Sequence, residues 1–362
     1  MEKKLFWVGL FLCLLVPLLA LRAAAAEETL DLSPLEDAAG EYAPEVDWEL
    51  GVDWDKGLSD LLDTGTGQVF GVVKRAVKSG VLLLVIVLLC TLAEGSAALS
   101  GGGFPAANMV GMMAVCAVAV SDVHSLMGLG REAISRMAGF ADLLLPTLAA
   151  AAAAGGTPAS AAARQMATVL FSDLLIQLIS RVLIPLTYLY IAACAAHAAI
   201  GNGGLKRIAK TLKGIITGCL TTMLLVFVGY LSVSGVIAGA ADAVSVKTAK
   251  LAISGMVPVV GGVLSDAAET VLASAAILRN TIGVFGALTI LGICLAPFLQ
   301  MGVHYLVYKL AAMLAGTISE GKTAELIDHI GGAFAMELGM VASCGMLLLF
   351  GVISCLNAAG AV

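Results

Sequence analysis

The run Gly316-Thr317-Ile318-Ser319-Glu320-Gly321-Lys322-Thr323 carries the spacing of a phosphate-binding loop. In such a loop backbone amides and the lysine cradle phosphates, but a buried strand must precede it and a neighbouring element must supply a magnesium-binding aspartate. Here the preceding residues, Ala296 to Ala315, read as a membrane helix, and no soluble βαβ unit is present to complete the site. With 41 glycines in 362 residues a chance match is unsurprising, and the run reads as a polar turn between helices.

Polar groups inside apolar spans are the next candidates, because they are costly in lipid and persist where they do something. Asp173, Gln177 and Arg181 step by four, which keeps them on one helical face; that face is expected to turn toward other helices. Gln300, His304 and Tyr308 repeat the pattern later in the chain, with Lys309 beside them. Such stripes can line an aqueous path or fix packing by interhelical hydrogen bonds. No metal set is legible: His304 shares no ligand spacing with His124, His197 or His329, and the eight cysteines lie in apolar segments without a Cys-x-x-Cys pair. No nucleophile and base are legible either, and no cofactor-binding set. An enzyme reading would need Asp173, His304 and Glu337 within hydrogen-bonding reach of one another.

A third candidate is the stretch VSVKTAKLAISGMVPVVGGVLSDAAETVLASAAILRNTIG, residues 244–283. Lys247, Lys250 and Ser254 share a helical face, and Gly255 with Pro258 should end that helix. Gly261 and Gly262 permit a sharp turn, and Asp266 with Glu269 three residues on resembles a capping box. Leu264, Ala267, Val271, Ala275 and Leu278 then recur opposite Asp266, Glu269 and Arg279. The expectation is two short amphipathic helices forming an interfacial or re-entrant hairpin, whose polar face suits a neighbouring subunit or a pore mouth.

The elements that must hold these residues are membrane helices. A mean hydropathy of +0.99, 60% hydrophobic and 13% charged residues lie far from a soluble domain. The predicted fold is an all-α, polytopic helical membrane protein, in which residues 1–26 are a signal peptide, 27–79 an acidic extracytoplasmic segment and 80–362 a multi-span domain. Met1 to Ala26 has the basic start, apolar centre and small-residue end of a secretory signal. From Glu27 to Asp63 thirteen acidic residues face Lys56 alone, so the net charge of −6 belongs to that segment, which reads as weakly ordered. Nothing in the charge pattern points to nucleic acid.

Leu58 to Lys78 is amphipathic and fits a helix lying on the headgroups. Spans are expected at Val81 to Leu99, Asn108 to Met127, Val169 to Ile200 with a kink at Pro185, Ile215 to Ala240, Gly283 to Ala315 and Ala333 to Leu356. Ala141 to Ala154 is short for a crossing. Lys206, Arg207, Lys210 and Lys213 form the densest basic cluster, which the positive-inside rule places in the cytoplasm. A cleaved signal followed by four crossings would put that cluster outside, so Ala141 to Ala154 is expected to re-enter without crossing.

Residues 247–283, followed by an apolar helix containing Pro297 and then VHYLVYKLAA, resemble the stage III sporulation protein AE family of endospore-forming bacteria. The resemblance covers roughly residues 65–355. It implies a multi-pass protein of the mother-cell-derived membrane around the forespore. There it would be a non-enzymatic pore-forming or scaffold subunit of a channel or secretion-like complex, with other stage III membrane subunits, a forespore-side partner and further copies of itself as neighbours. The family supplies no catalytic residues or cofactor to carry over. An independent small-molecule permease is the other reading, and it would require the polar stripes to form one continuous pathway.

Overall fold

The computed structural model describes residues 32–44, 51–99, 105–154, 158–256, 261–318 and 322–357, with side chains described except at 96–99, 105–108, 158, 160, 234–256 and 261–276. The signal-like segment, Trp48, Pro258 and the centre of the phosphate-loop match at 319–321 lie outside these residues. Every regular element among the described residues is helical. A short helix α1 (Ser33–Tyr42) is followed by the long helices α2 (Trp54–Leu99) and α3 (Pro105–Ala154). Then come α4 (Pro158–Leu178), a π-helical turn at Ile179–Leu183, α5 (Ile184–Ile200), α6 (Gly203–Met256), α7 (Gly261–Ile318) and α8 (Lys322–Asn357). Among the described residues six helices are long and apolar enough to cross a membrane, with α4 and α5 counting as one through the π turn.

Three expectations change. The amphipathic stretch before Val81 and the apolar run after it are one 46-residue helix, so Leu58 to Lys78 does not lie separately on the headgroups. Ala141 to Ala154 is the end of the 50-residue helix α3, which passes through Pro146 without a break. Ile134, Met137, Phe140, Leu144 and Leu148 are all buried at helical spacing, and their packing offsets the hydrogen bond that the proline deletes. The acidic segment also holds α1, with Pro34 in its first turn and Leu35, Ala38 and Ala39 buried.

Pro185 has the expected local effect, in a specific form. Its ring lacks an N–H and would collide with the carbonyl four residues earlier, and the helix answers by widening: Ile184 N–H reaches back five residues to the Ile179 carbonyl. Gly201, at φ +77°, then ends α5 in the left-handed conformation, with its N–H on the His197 carbonyl.

The centre of the bundle is the antiparallel pair α7 and α8. Their most apolar windows are 67% and 56% buried, against 22–33% for the other four, which leaves those four to face their surroundings. Side-chain contacts fix the register. Gly283 lies against Leu356, Gly345 against Cys294, and Gly331 against Tyr308. On α2, Gly57, Gly65 and Gly80 face Leu288, Leu295 and Val307, so α2 runs parallel to α7. Helix α3 runs the other way, with Leu144 on Gly286 and Met137 Sδ 3.3 Å from Cys294 Sγ. Helix α6 is parallel to α8, since Lys206 meets Glu325 and Leu220 faces Gly339.

Because three crossings, not four, precede Lys206, the residue-54 end of α2 and the basic cluster lie at opposite ends of the bundle. An extracytoplasmic acidic segment and a cytoplasmic basic cluster are therefore compatible, and no re-entrant segment is needed before residue 200. Single cysteines at Asp53 and Asn202, in a chain whose own cysteines are replaced, should react from opposite sides with a membrane-impermeant thiol reagent. Asn202→Cys should react only after the cytoplasmic side is opened. Labelling of both from outside would overturn this arrangement.

Candidate functional site

All the long helices meet at one polar layer. Tyr308 on α7 is fully buried and its hydroxyl donates to Asp122 Oδ2 on α3 at 2.7 Å. Its ring stands edge-on to Phe334, centroids 4.9 Å apart, and its Cβ lies at Gly331 of α8. One turn along α8, Tyr190 of α5 donates to the His329 carbonyl at 3.0 Å, and its hydroxyl also sits at Gly332, where Lys213 of α6 approaches. Val307, next to Tyr308, faces Gly80 of α2. The layer thus ties α2, α3, α5, α6, α7 and α8 at a common height.

From this layer to the basic-cluster end the bundle is charged on its α6 and α8 side. Lys309 Nζ and Asp328 Oδ1 are 2.5 Å apart, and Lys206 Nζ donates to Glu325 Oε1 at 2.6 Å. His329 Nε2 and His197 Nε2 stand 3.5 and 3.9 Å from the same Glu325 carboxylate. These side chains are partly exposed, so each pair contributes on the order of 0–1 kcal/mol. Their weight lies in marking where water reaches the bundle.

The sequence-derived candidates separate in space. Gln300, His304 and Tyr308 face inward: His304 Nδ1 lies 2.7 Å from the Gln300 carbonyl oxygen, and its ring meets Phe334 edge-on. Gln300 borders a cavity of about 120 Å³ with Tyr42, Pro44, Glu132, Arg136 and Pro297, so α1 closes one side of it. Asp173, Gln177 and Arg181 do not face other helices. They are exposed, Asp173 and Gln177 on α4 and Arg181 in the π turn, and make no hydrogen bond or ion pair among the described residues, which leaves a charged stripe on the outside of the bundle.

Residues 244–256 and 261–276 continue the helices α6 and α7 instead of forming separate short ones; helix α6 does end at Met256, between Gly255 and Pro258. The register set by Lys206 and Leu220 carries about 18 residues of α6, roughly 27 Å, past the end of α8. The side chains of Lys247, Lys250, Ser254, Asp266 and Glu269, and the glycines Gly255, Gly261 and Gly262, lie outside the described side chains. Arg279 is described, and it is buried at 4% exposure instead of lying on an outer polar face. The phosphate-loop match divides between the last turn of α7 and the first of α8, with no strand before it, and Lys322 rests on Gly201.

Spacing alone does not join Asp122 and Lys206 with Tyr190, Tyr308, Lys309, Glu325, Asp328 and His329, because these contacts span 19 to 186 positions. Glu337 is the other group whose setting was not legible. It is fully buried beside Gly130 and Met301, and neither carboxylate oxygen has a hydrogen-bond partner. Asp173, His304 and Glu337 are therefore not assembled as an acid–base set.

Two measurements follow from these settings, each on the purified protein in detergent. Tyr308→Phe leaves Asp122 without its donor and should lower unfolding stability by about 1.5–3 kcal/mol. Glu337→Met replaces two unpartnered polar atoms by a side chain of similar volume and should raise it by about 1–3 kcal/mol; a loss instead would show that the carboxylate has a bonded role.

The family described as Stage III sporulation protein AE matches residues 51–360. The chain is 26% identical to the Stage III sporulation protein AE of Bacillus subtilis (strain 168) over 218 residues. That alignment takes in 60% of this chain and 55% of the relative, so the chain spans about half the length of the curated relative it matches. No solved structure matches. A family match running from the start of α2 through the end of α8, on a bundle with six helices fit to cross a membrane, leads to one conclusion: the chain belongs to the stage III sporulation protein AE family.

Proposed function

We propose that this protein is a non-enzymatic, pore-forming or scaffold subunit of a multi-protein channel or secretion-like complex in the mother-cell-derived membrane around the forespore. Its neighbours would be other stage III membrane subunits, a forespore-side partner and further copies of itself. Family membership supports the sporulation setting, and one feature of the bundle supports the role: it has two unlike flanks at a single depth. Between the heights of Cys294 and Tyr308 on α7, α6 and α8 present Leu225, Val226 and Met346 to their surroundings. At those heights α2 exposes Lys74, Arg75 and Lys78, and α3 exposes Arg131 and Glu132, the latter paired with Arg136 at 2.7 Å. The exposed Asp173 and Gln177 of α4 and Arg181 of the π turn lie at a similar depth, between Thr168 at Gly351 and Tyr190 at Gly332.

Charges at bilayer depth are tolerated where they face protein or water, and charges turned to hydrocarbon cost several kcal/mol each. A lone bundle in lipid would leave this flank uncovered. Neighbouring subunits or an aqueous lumen against α2, α3 and α4 remove that cost, which is the arrangement a channel component requires. The helical ends at 244–256 and 261–276, carried beyond α8, offer a second surface to a partner.

The test is photocrosslinking in sporulating cells from single sites on the two flanks. Arg75 and Arg131 positions should capture protein or react with water-borne thiol reagents as cysteines, and the Val226 position should meet lipid. Capture of lipid alone from Arg75 and Arg131 would sink the proposal.

A further inference from the structure

At the end of the bundle opposite the basic cluster, two arginines are buried together without a counter-charge. Arg164 of α4 is 8% exposed and Arg279 of α7 is 4% exposed, and neither forms an ion pair among the described residues. One guanidinium N–H of Arg164 donates to the Ser354 carbonyl, and Arg279 lies one helical turn before Gly283, which meets Leu356, so both stand at the last turns of α8. The Arg164 Nε and the Nε and Nη1 of Arg279 are buried with no acceptor among the described residues.

Two like charges and three unused donors in one buried place are destabilising unless something anionic joins them. The carbonyls of the ending helix take one N–H and leave the others. A guanidinium presents parallel donors that match the oxygens of a phosphate, and two of them can grip one phosphoryl group from two sides. The height fits as well: Gly283 meets Leu356 here, where the apolar crossings of α7 and α8 end among the described residues. Arginine at this end also runs against the usual bias of Lys and Arg to the cytoplasmic side, so sidedness does not explain it.

We propose that Arg164 and Arg279 form a binding site for a phosphate-type anion at the extracytoplasmic edge of the bundle. The phosphoryl group belongs to an anionic phospholipid headgroup or to free phosphate, and the experiment separates the two. Full-length protein is purified in detergent, and its thermal unfolding is followed with phosphatidylglycerol nanodiscs, phosphatidylcholine nanodiscs or inorganic phosphate. Native mass spectrometry counts co-purified lipid.

The wild-type chain should retain phosphatidylglycerol and gain several degrees from it over phosphatidylcholine. Arg164→Gln and Arg279→Gln should each weaken that affinity by about tenfold, the loss of one charge-assisted contact. Arg279→Lys, which keeps the charge and loses the fork, should fall between. Stabilisation by inorganic phosphate with no retained lipid assigns the site to the free anion. If the wild-type chain shows no preference among the three additives, the site does not exist, whatever the variants do. If folded Gln variants retain lipid as the wild type does, the arginines only cap α8 and the proposal fails.

Discussion

The bond from Tyr308 to Asp122 sets the height at which everything else in the bundle is read. It joins α3 to α7 at the position where the Tyr308 ring packs on Phe334 and its Cβ lies close to Gly331 of α8. An apolar helix in lipid gains nothing from sliding against another, because the lipid tails are as apolar as leucine; close packing and a few polar bonds must choose the register. Here small residues do the first job along α7, with Leu144 lying on Gly286 and Leu356 on Gly283. Tyr308 and Tyr190 do the second, each tying a different neighbour to the α7 and α8 pair.

With the register set, the apolar stretches of the helices no longer coincide. Gly80 on α2 and Lys213 on α6 stand at the same layer, through Val307, Tyr308, Gly331 and Gly332. The apolar run of α2 leads from Gly80 toward the basic-cluster end, whereas that of α6 leads from Lys213 the other way. Each run is about 20 residues, one hydrocarbon thickness of ~30 Å, so the two belts are staggered by about a membrane's depth. No flat slab covers both on an isolated chain. The charged half of α2 and α3 beside the apolar half of α6 and α8 is the direct consequence, and it is what makes the bundle suited to an assembly.

Much of this was legible in the residues. The helical class and six apolar stretches, each of which falls within one of the long helices, follow from composition and period, since lipid imposes helices. Helix lengths did not follow. Gly128, Gly130, Arg131 and Pro146 read locally as places to stop, and only burial of Met137, Phe140 and Leu144 against α7 and α8 carries α3 through them. Helix α1 was missed for the opposite reason: its apolar face is three residues long, below what a period can reveal among acids. The stripe at Asp173 was found by spacing, but spacing gives a face and not its direction, and the face points outward.

The two interior anomalies differ in kind, and the difference bears on what this bundle is for. Glu337 is sealed beside Gly130 and Met301, and neither carboxylate oxygen has a hydrogen-bond partner among the described residues. A buried carboxylate left in that state costs stability inside the core. Arg164 and Arg279 share one place at the end of α8, where the Ser354 carbonyl takes one Arg164 N–H and three further donor atoms have no acceptor among the described residues. A solitary buried carboxylate and two converging arginines therefore pose different physical problems: the first is relieved by removing the charge, the second by an anion that joins the pair.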